Sequence, residues 1–255
     1  MIEIHPIVSS HQPHFFPWLG YFDKMAKADL FLVNDVAQLE LQSPMHRNRI
    51  LDRNGTIRYI NAAIEKREHE EKQNREILLS NWEETRKTLA GKIRDGYRHA
   101  YGFDEVWPMV ADILAKPFTR LIDLDLETIR LGRECLGIKT PMLFHSDMHY
   151  RDGADASERL AEKLASVHTG LYLSGTGGRK YMRLDDFTKR GIYVAFQDFA
   201  YPEYPQAFKG DFVPNLSFLD LVFNCGITKS REIFWNNVHV SNEHIETWKT
   251  DPRAY

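Results

Sequence analysis

Cysteine is scarce in this sequence, which contains only two among 255 residues. Cys135 and Cys225 are far apart, so neither the Cys-x-x-Cys spacing nor a disulfide framework is indicated. Cys135 lies in a stretch with a helical pattern, and a buried structural thiol is its expected role. The scarcity of cysteine favours a reducing compartment, the cytoplasm.

Long apolar runs and an excess of basic charge are also absent. No run approaches the roughly 18–20 apolar residues that a bilayer-spanning helix needs, so no membrane span is expected. Residues 1–6 lack the basic start and apolar core of a signal peptide, which again favours the cytoplasm. The formal net charge of −3 creates no field that attracts phosphate backbones, so the chain as a whole does not predict a nucleic-acid protein.

Several catalytic motifs are missing as well. The Gly-x-Ser-x-Gly elbow of hydrolases and the phosphate-binding P-loop do not occur. His145 and His149 are only two histidines without zincin spacing, so a turn after a strand is predicted there and no metal site is expected.

The sequence does contain a regular alternation of strand and helix patterns. Five short apolar segments, at residues 7–10, 30–33, 142–145, 171–174 and 192–196, are typical of strands covered on both faces. Helical patterns at residues 18–28, 156–167 and 179–190 separate them. Such alternation predicts an α/β fold, a Rossmann-like parallel sheet of about five strands with the first strand central.

The middle of the chain departs from this alternation. Residues 47–63 contain a turn signal, Arg-Asn-Gly-Thr, between two β-like runs and predict a hairpin. Four helical patterns follow, at residues 65–82, 83–97, 104–114 and 121–136, of which the charged start at 65–73 is expected to be a solvated helix face or a loop. We predict one α/β unit over residues 1–255 with a helical lobe inserted at 64–138.

Polar residues follow each predicted strand. In an open parallel sheet, ligands bind beyond the carboxyl ends of the strands, so these residues are expected to converge on one cleft. They are His11 and Gln12, Asn34 and Asp35, residues 145–147, the glycine-rich turn at 174–178, and Gln197 with Asp198.

The loop after the first strand is a candidate site. His11 and His14 suit acid–base work near neutral pH or donation to a phosphate, and Gln12 suits substrate orientation. The alternative is a rigid turn, in which the prolines stiffen the loop and its aromatic residues, Trp18 among them, fill the core. Asp35 is a second catalytic candidate, which would hold a ribose, a metal or a substrate amine unless it caps a helix.

The glycine-rich turn is a candidate phosphate site. Glycines let a backbone approach a phosphate closely, and two adjacent basic residues add charge; the alternative is an ordinary tight turn with a solvated basic pair. The residues assigned to phosphate binding are Ser174, Gly175, Thr176, Gly177, Gly178, Arg179 and Lys180.

These motifs resemble those of the WbqC-like protein family. The resemblance rests on residues 11–24, 28–35, 47–50, 172–181, 204–206 and 216–226, and it spans nearly the whole chain through about residue 226. It departs at Asn34, where the family pattern has an acidic residue, and at 41–45, where a basic-aromatic stretch is expected. Members occur in bacterial surface-polysaccharide clusters and are described as glycine transferases acting on amino sugars.

The resemblance implies a transferase that joins a small amino acid, with glycine first, to an amino sugar or nucleotide-linked amino sugar in O-antigen or lipopolysaccharide biosynthesis. The glycyl donor stays open among an adenylate made with ATP, a carrier-protein thioester and glycyl-tRNA. His11 and Asp35 are the catalytic candidates. The substrate-binding candidates are Gln12, His14, Trp18, Asn34, Arg47, Asn48, Arg49 and Gln206.

Two alternatives remain open from the sequence. The start of the chain also resembles, more loosely, the HIGH-type nucleotidylyltransferases, because a strand, a histidine-containing loop and a helix follow one another there. In this sequence only His14 approximates one of the histidines of their motif. The chain could instead be a non-catalytic protein of the same pathway that binds a nucleotide-sugar or assembles biosynthetic partners.

Overall fold

A computed structural model describes residues 6–41, 43–66 and 71–240. Its centre is a sheet of five strands, β1 (Ile7–His11), β2 (Leu30–Val33), β5 (Met142–Phe144), β6 (Leu171–Ser174) and β7 (Tyr193–Phe196). Their order in the sheet is β5-β2-β1-β6-β7, and every pairing is parallel. The predicted α/β fold, with a parallel sheet and the first strand in its centre, is therefore confirmed.

Helices cover both faces of this sheet. The connecting helices are α1 (Leu19–Ala26), α5 (Ala156–Ser166) and α6 (Leu184–Thr188). One face of the sheet packs on the large core cluster, while Val8, Leu32 and Tyr172 belong to a second cluster with Leu164 and Phe187. Side chains that alternate between two apolar layers explain why the strands are short and continuously apolar.

The described part of the segment between β2 and β5 contains the predicted hairpin and three α-helices. The hairpin is β3 (Arg47–Leu51) with β4 (Ile57–Asn61), and the helices are α2 (Trp82–Tyr97), α3 (Phe103–Ala115) and α4 (Leu121–Leu136). Cys135 is fully buried in α4, and burial raises the pKa of its thiol to about 12, which fits the structural role expected of it. The division of the chain at residues 64 and 138 stays a prediction.

Two helix predictions were wrong in extent. Between residues 65 and 81 the described part contains no α-helix, and α2 begins only at Trp82: the chain there contains a short 3₁₀ helix, Asn74–Glu76, and an isolated bridge between Ile64 and Leu79, while residues 67–70 lie outside the described part. The apolar residues before Trp82 are contiguous at 77–79 instead of helically spaced, so this run has no stripe to bury. The prediction at 179–190 resolves into a 3₁₀ helix, Thr176–Lys180, and α6.

The last helix of the described residues, α7 (Phe218–Val240), packs against α1, α3 and α4 and is interrupted at Gly226. Gly226 has φ 70° and ψ 166°, a positive-φ conformation that L side chains rarely adopt. Ser230 donates its hydroxyl to the Gly226 carbonyl at 2.6 Å, which occupies a backbone acceptor at the break.

A glycine pair on α2 provides a test of this packing. A methyl group at Gly96 would overlap the carbonyl oxygen of Leu51 on β3, whereas one at Gly91 meets no atom within 4 Å. We expect Gly96→Ala to lower the free energy of unfolding by about 1–3 kcal/mol, because backbone cannot yield as a side chain can. The matched variant Gly91→Ala should raise it by roughly 0.5–1 kcal/mol. Urea denaturation measures both, and equal effects would contradict the packing of α2 on the hairpin.

Candidate functional site

A large polar cleft lies at the carboxyl ends of the parallel strands, with a volume of about 1300 Å³. We call it the strand-end cleft. Residues at the carboxyl ends of β1, β2, β5 and β6, or in the turns directly after these strands, line the cleft. This is the position that the sequence predicted for a ligand site in such a sheet. The lining of the cleft includes Ser10, His11, Gln12, Lys24, Asn34, His145, Tyr150, Arg159, Lys163, Ser174, Gly175, Gly177 and Gly178.

A buried lysine lies in the wall of this cleft. Lys24, on α1, is only 2% exposed, and its Nζ donates to the Ser10 carbonyl at 2.7 Å. Among the described residues no carboxylate forms an ion pair with it. Burial lowers the pKa of Lys24 to about 7, because an ammonium group loses its hydration there. The side chain therefore has spare donors and a charge that an anionic ligand would stabilise.

His11 is a neutral imidazole with a defined tautomer. Its Nδ1 lies 3.1 Å from the Gln12 carbonyl, which can only accept, so Nδ1 carries the hydrogen and Nε2 keeps a free lone pair. Burial, and then the positive charge of Lys24, hold the pKa of His11 well below its ordinary value. An anion bound against Lys24 would offset that charge and raise the pKa of His11.

His14 lies behind His11 and outside the cleft lining. The two rings meet edge to face with centroids 4.4 Å apart, and His14 is buried. Burial, with the Lys24 charge second, lowers the pKa of His14 to about 3. Its Nδ1 has no hydrogen-bond partner among the described residues. The structure thus places His14 as support for the His11 ring, and its predicted contact with substrate stays a prediction.

A serine, a histidine and a lysine form a chain on the other side of β1. Ser10 Oγ lies 3.2 Å from His145 Nε2, and His145 Nδ1 lies 3.1 Å from Lys163 Nζ. All three are buried and line the cleft. Burial, with Lys163 second, lowers the pKa of His145 to about 3, so the imidazole is neutral.

Asp35 and Asn34 follow β2 but take different positions. Asn34 lines the cleft, and its Oδ1 has no hydrogen-bond partner among the described residues. The buried Asp35 is not part of the lining; one of its carboxylate oxygens accepts from the Ser146 backbone N–H at 3.0 Å. Asp35 thereby holds the turn that carries His145.

The glycine-rich turn reaches the cleft with its backbone but not with its basic side chains. Ser174, Gly175, Gly177 and Gly178 line the cleft, whereas Thr176, Arg179 and Lys180 do not. The Arg179 guanidinium lies 4.0 Å from the centroid of the Phe196 ring. A methyl group at Gly177 would meet no atom within 4 Å, so the backbone there is open to a ligand. Phosphate binding at this turn stays a prediction.

Four predicted substrate-binding residues line a separate groove of about 320 Å³. This second groove is formed by Trp18, Pro44, Arg47, Asn48, Arg49, Tyr59 and Asn215. The Arg47 guanidinium stacks 4.1 Å from the Tyr59 ring centroid, and Asn48 Nδ2 donates to the carbonyls of Phe15 and Phe16. Asn48 therefore also fixes the loop after β1, where Phe16 has a positive φ of 41°.

Two more residues singled out in the sequence lie away from both sites. Gln206 donates to Asp220 at 2.7 Å and to the Val213 carbonyl at 3.0 Å, and it lines neither groove nor cleft. Gln197, which follows β7, donates to the Gly20 carbonyl and to Asp23 on α1. The structure thus brings together the ends of β1, β2, β5 and β6 and leaves the end of β7 as a support for α1.

The sequence reasoning missed Lys24, Lys163 and the role of His145. One signal was available: Lys163 stands among Leu160, Leu164 and Val167, on the apolar stripe of α5, where an ammonium group is out of place. Within the described ranges no group of three or more histidine, cysteine or acidic side chains is arranged to hold a metal ion. None of the described helices combines the length and apolarity that crossing a membrane requires.

The fold and the cleft define an α/β protein with a Rossmann-like sheet and a polar site at its strand ends. Residues 12–232 match the WbqC-like protein family, and the chain belongs to that family. It is similar to the uncharacterized protein Rv1507c of Mycobacterium tuberculosis (strain ATCC 25618 / H37Rv), with 30% identity over 219 residues that cover 84% of this chain and 92% of that protein. No solved structure matches the chain. The family resemblance is confirmed, and the similarity to HIGH-type enzymes stays a prediction.

Proposed function

We propose that this protein is a transferase that forms an amide between a small amino acid and the amine of an amino sugar or nucleotide-linked amino sugar in the strand-end cleft. The observation that carries the proposal is Lys24, a buried ammonium without a carboxylate partner among the described residues. A charge in that position favours a ligand that is anionic or becomes anionic during reaction. An acyl group under attack develops such a charge on its carbonyl oxygen.

In the reaction, the amine nitrogen forms a bond to the acyl carbon, and the bond from that carbon to its leaving group breaks. Lys24 would stabilise the oxyanion of the tetrahedral intermediate. The ammonium form of the amine has no lone pair and must first lose a proton, and the free Nε2 of His11 is the proposed acceptor. Because Asp35 holds the Ser146 backbone, we assign it a positioning role.

The choice of glycine, of an amino sugar and of surface-polysaccharide assembly comes from the family resemblance alone. The donor would be an activated glycyl group: the mixed anhydride of an adenylate, the thioester of a carrier protein or the ester of a tRNA, with AMP, a thiol or a tRNA hydroxyl as the leaving group. If the carboxyl group is activated in the cleft, ATP would supply the leaving group. The open backbone at Gly175 and Gly177 fits its phosphates, since no side chain stands within 4 Å of the space at Gly177.

The test is a turnover assay with glycine, ATP and a panel of amino sugars and their nucleotide-linked forms, followed by mass spectrometry for the gain of one glycyl group. Parallel reactions replace glycine and ATP with glycyl-tRNA or a glycyl thioester. We expect His11→Ala to lower turnover by about 10²–10⁴-fold, the usual contribution of a positioned base. The exposed His99 provides a control, since His99→Ala should leave turnover unchanged.

A non-catalytic nucleotide-sugar-binding protein is the second candidate, favoured by the pKa of His11, which burial and then Lys24 hold well below its ordinary value and which makes the imidazole a weak base. Saturable binding of a nucleotide-sugar without product in any of the reactions would support it and contradict the transferase. Turnover within about threefold of wild type in a folded His11→Ala variant would remove His11 from the mechanism, because a lost base has a larger effect.

A further inference from the structure

The side chains of Ser10, His145 and Lys163 form a hydrogen-bonded chain with a fixed direction. A lysine ammonium has three donors and no acceptor, so His145 Nδ1, 3.1 Å from Lys163 Nζ, must accept. A neutral imidazole that accepts at Nδ1 carries its hydrogen at Nε2. That hydrogen is directed to Ser10 Oγ at 3.2 Å, so the serine accepts it.

The serine hydroxyl is the free end of this chain. Its oxygen is occupied by His145, and among the described residues no acceptor takes its own hydrogen. Ser10 lines the strand-end cleft and is 8% exposed, so the hydrogen is available to a ligand in the cleft. Each bond polarises the next, and a chain that begins at a cation ends in a strengthened donor.

The surroundings of Lys163 support a charged chain. Its Nζ lies 5.0 Å from the centroid of the Tyr150 ring, within the range of a cation–π contact. Arg159, which pairs with Asp152 at 2.9 Å, also lines the cleft, and Lys24 donates to the carbonyl of the same Ser10. Three basic side chains, Lys24, Arg159 and Lys163, thus line the cleft with Ser10, and Asp152 lines it as well. Burial and then Arg159 lower the pKa of Lys163, while the charges of Asp35 and Asp152 act in the opposite direction and favour its ammonium form.

We propose that the Ser10–His145–Lys163 chain binds an anionic oxygen of the ligand, on a phosphoryl or a carboxyl group, through the Ser10 hydroxyl. The site is distinct from the glycine-rich turn. It does not depend on amide formation, because an anion would bind there whether or not an acyl group is transferred.

The test measures binding without any acyl donor. Inorganic phosphate and glycine are titrated separately into the protein at low ionic strength, and the dissociation constants are determined by calorimetry or NMR. Ser10→Ala and Lys163→Met should each weaken the binding of at least one probe by about tenfold or more, as expected for a charge-assisted hydrogen bond. The dissociation constant of the double variant should be no larger than that of the more affected single variant, because the hydrogen-bonded chain acts as one unit.

Two variants serve as matched controls. Ser9→Ala removes a buried serine hydroxyl from the same strand, one that donates to the Leu173 carbonyl at 2.7 Å and lies outside the cleft lining. Lys229→Met removes one positive charge from the surface of α7, where Lys229 pairs with Glu232. Both should leave the dissociation constants unchanged.

The direction of the hydrogen bonds from Lys163 through His145 to Ser10 can be tested separately, because it fixes the tautomer of His145. Long-range ¹H–¹⁵N spectra should show His145 as the Nε2–H tautomer at neutral pH. Weakening confined to phosphate identifies a phosphoryl group, and weakening confined to glycine identifies a carboxylate; either supports the proposal. The Nδ1–H tautomer, strictly additive effects, or no saturable binding of either probe would overturn it. Because no product is measured, failure of the transferase reaction leaves these results unaffected.

Discussion

Replacing Lys24 with methionine should give a protein that is more stable than the wild type and nearly inactive. The variant removes a buried charge that has no carboxylate partner among the described residues and fills its space with an apolar chain of similar length. Replacing buried ion pairs by well-packed apolar side chains is neutral or stabilises by about 1–4 kcal/mol, and we expect a gain within that range here, reduced by the loss of the hydrogen bond to the Ser10 carbonyl. Turnover, or anion binding where no turnover is found, should fall by at least about 10²-fold, the typical effect of losing a donor to an oxyanion.

The gain in stability should depend on pH in a defined direction. Burial lowers the pKa of Lys24 from 10.5 to about 7, so between these values the unfolded chain binds more protons than the folded one. The free energy of unfolding of the wild type therefore rises with pH across that range. The full difference corresponds to about 5 kcal/mol. The advantage of Lys24→Met should be largest below pH 7 and shrink as the pH approaches 10.

The neighbouring Lys27 provides a control on the same helix. It is also buried, but its Nζ pairs with Asp23 at 2.8 Å, so Lys27→Met leaves a carboxylate without this partner and should lower stability. Chemical denaturation at several pH values compares the two variants. If Lys24→Met were destabilised to the same degree, or remained active, Lys24 would be a structural residue and the proposed site would lose its main support.

The parallel sheet was predictable because its signals are local. Short apolar runs with intervening helical stripes specify buried strands, and the right-handed crossover rule then fixes a parallel order. The same rule placed His11, Gln12, Asn34 and Gly175 at one edge of the sheet, where they line the cleft. Their place in the cleft follows from the position of the strand ends alone, so the sequence pattern was sufficient to predict it.

Lys24 and Lys163 escaped prediction because their positions depend on how helices pack. Each lies within a helix, several residues away from any strand end, and reaches the cleft only because its helix packs on the sheet. A helical pattern gives the buried face of a helix but not the residue of another element that this face meets. Arg47 and Arg49 were grouped with the other substrate-binding candidates because they belong to the same family motifs. The motifs did not indicate that these two residues line a separate groove.

Gln206 is another motif residue that the structure places away from the strand-end cleft. It belongs to a buried network around Asp220 on α7, whose carboxylate accepts from Tyr97 at 2.8 Å, Tyr204 at 3.0 Å and Gln206 at 2.7 Å. The Tyr97 hydroxyl in turn accepts from the Leu51 backbone at 3.3 Å. The network thus joins the hairpin, α2 and α7.

We expect Asp220→Ala to lower the free energy of unfolding by about 3 kcal/mol or more, because two buried tyrosine hydroxyls lose their acceptor at about 1–3 kcal/mol each. Asp123 on the surface of α4 supplies the control, because its ion-pair partner among the described residues is the exposed Arg120. Asp123→Ala should change stability by no more than about 1 kcal/mol. Urea denaturation measures both variants.

The milder variant Gln206→Ala separates the two roles that the sequence and the structure suggest for this residue. A member of the Asp220 network should lower stability when it is removed and leave phosphate and glycine binding in the strand-end cleft unchanged, because Gln206 does not line that cleft. If Gln206 instead binds substrate, its removal should leave stability unchanged and weaken the binding of phosphate or glycine. A Gln206→Ala protein with wild-type stability and a weakened ligand dissociation constant would therefore favour the interpretation drawn from the family motif over the one drawn from the hydrogen bonds.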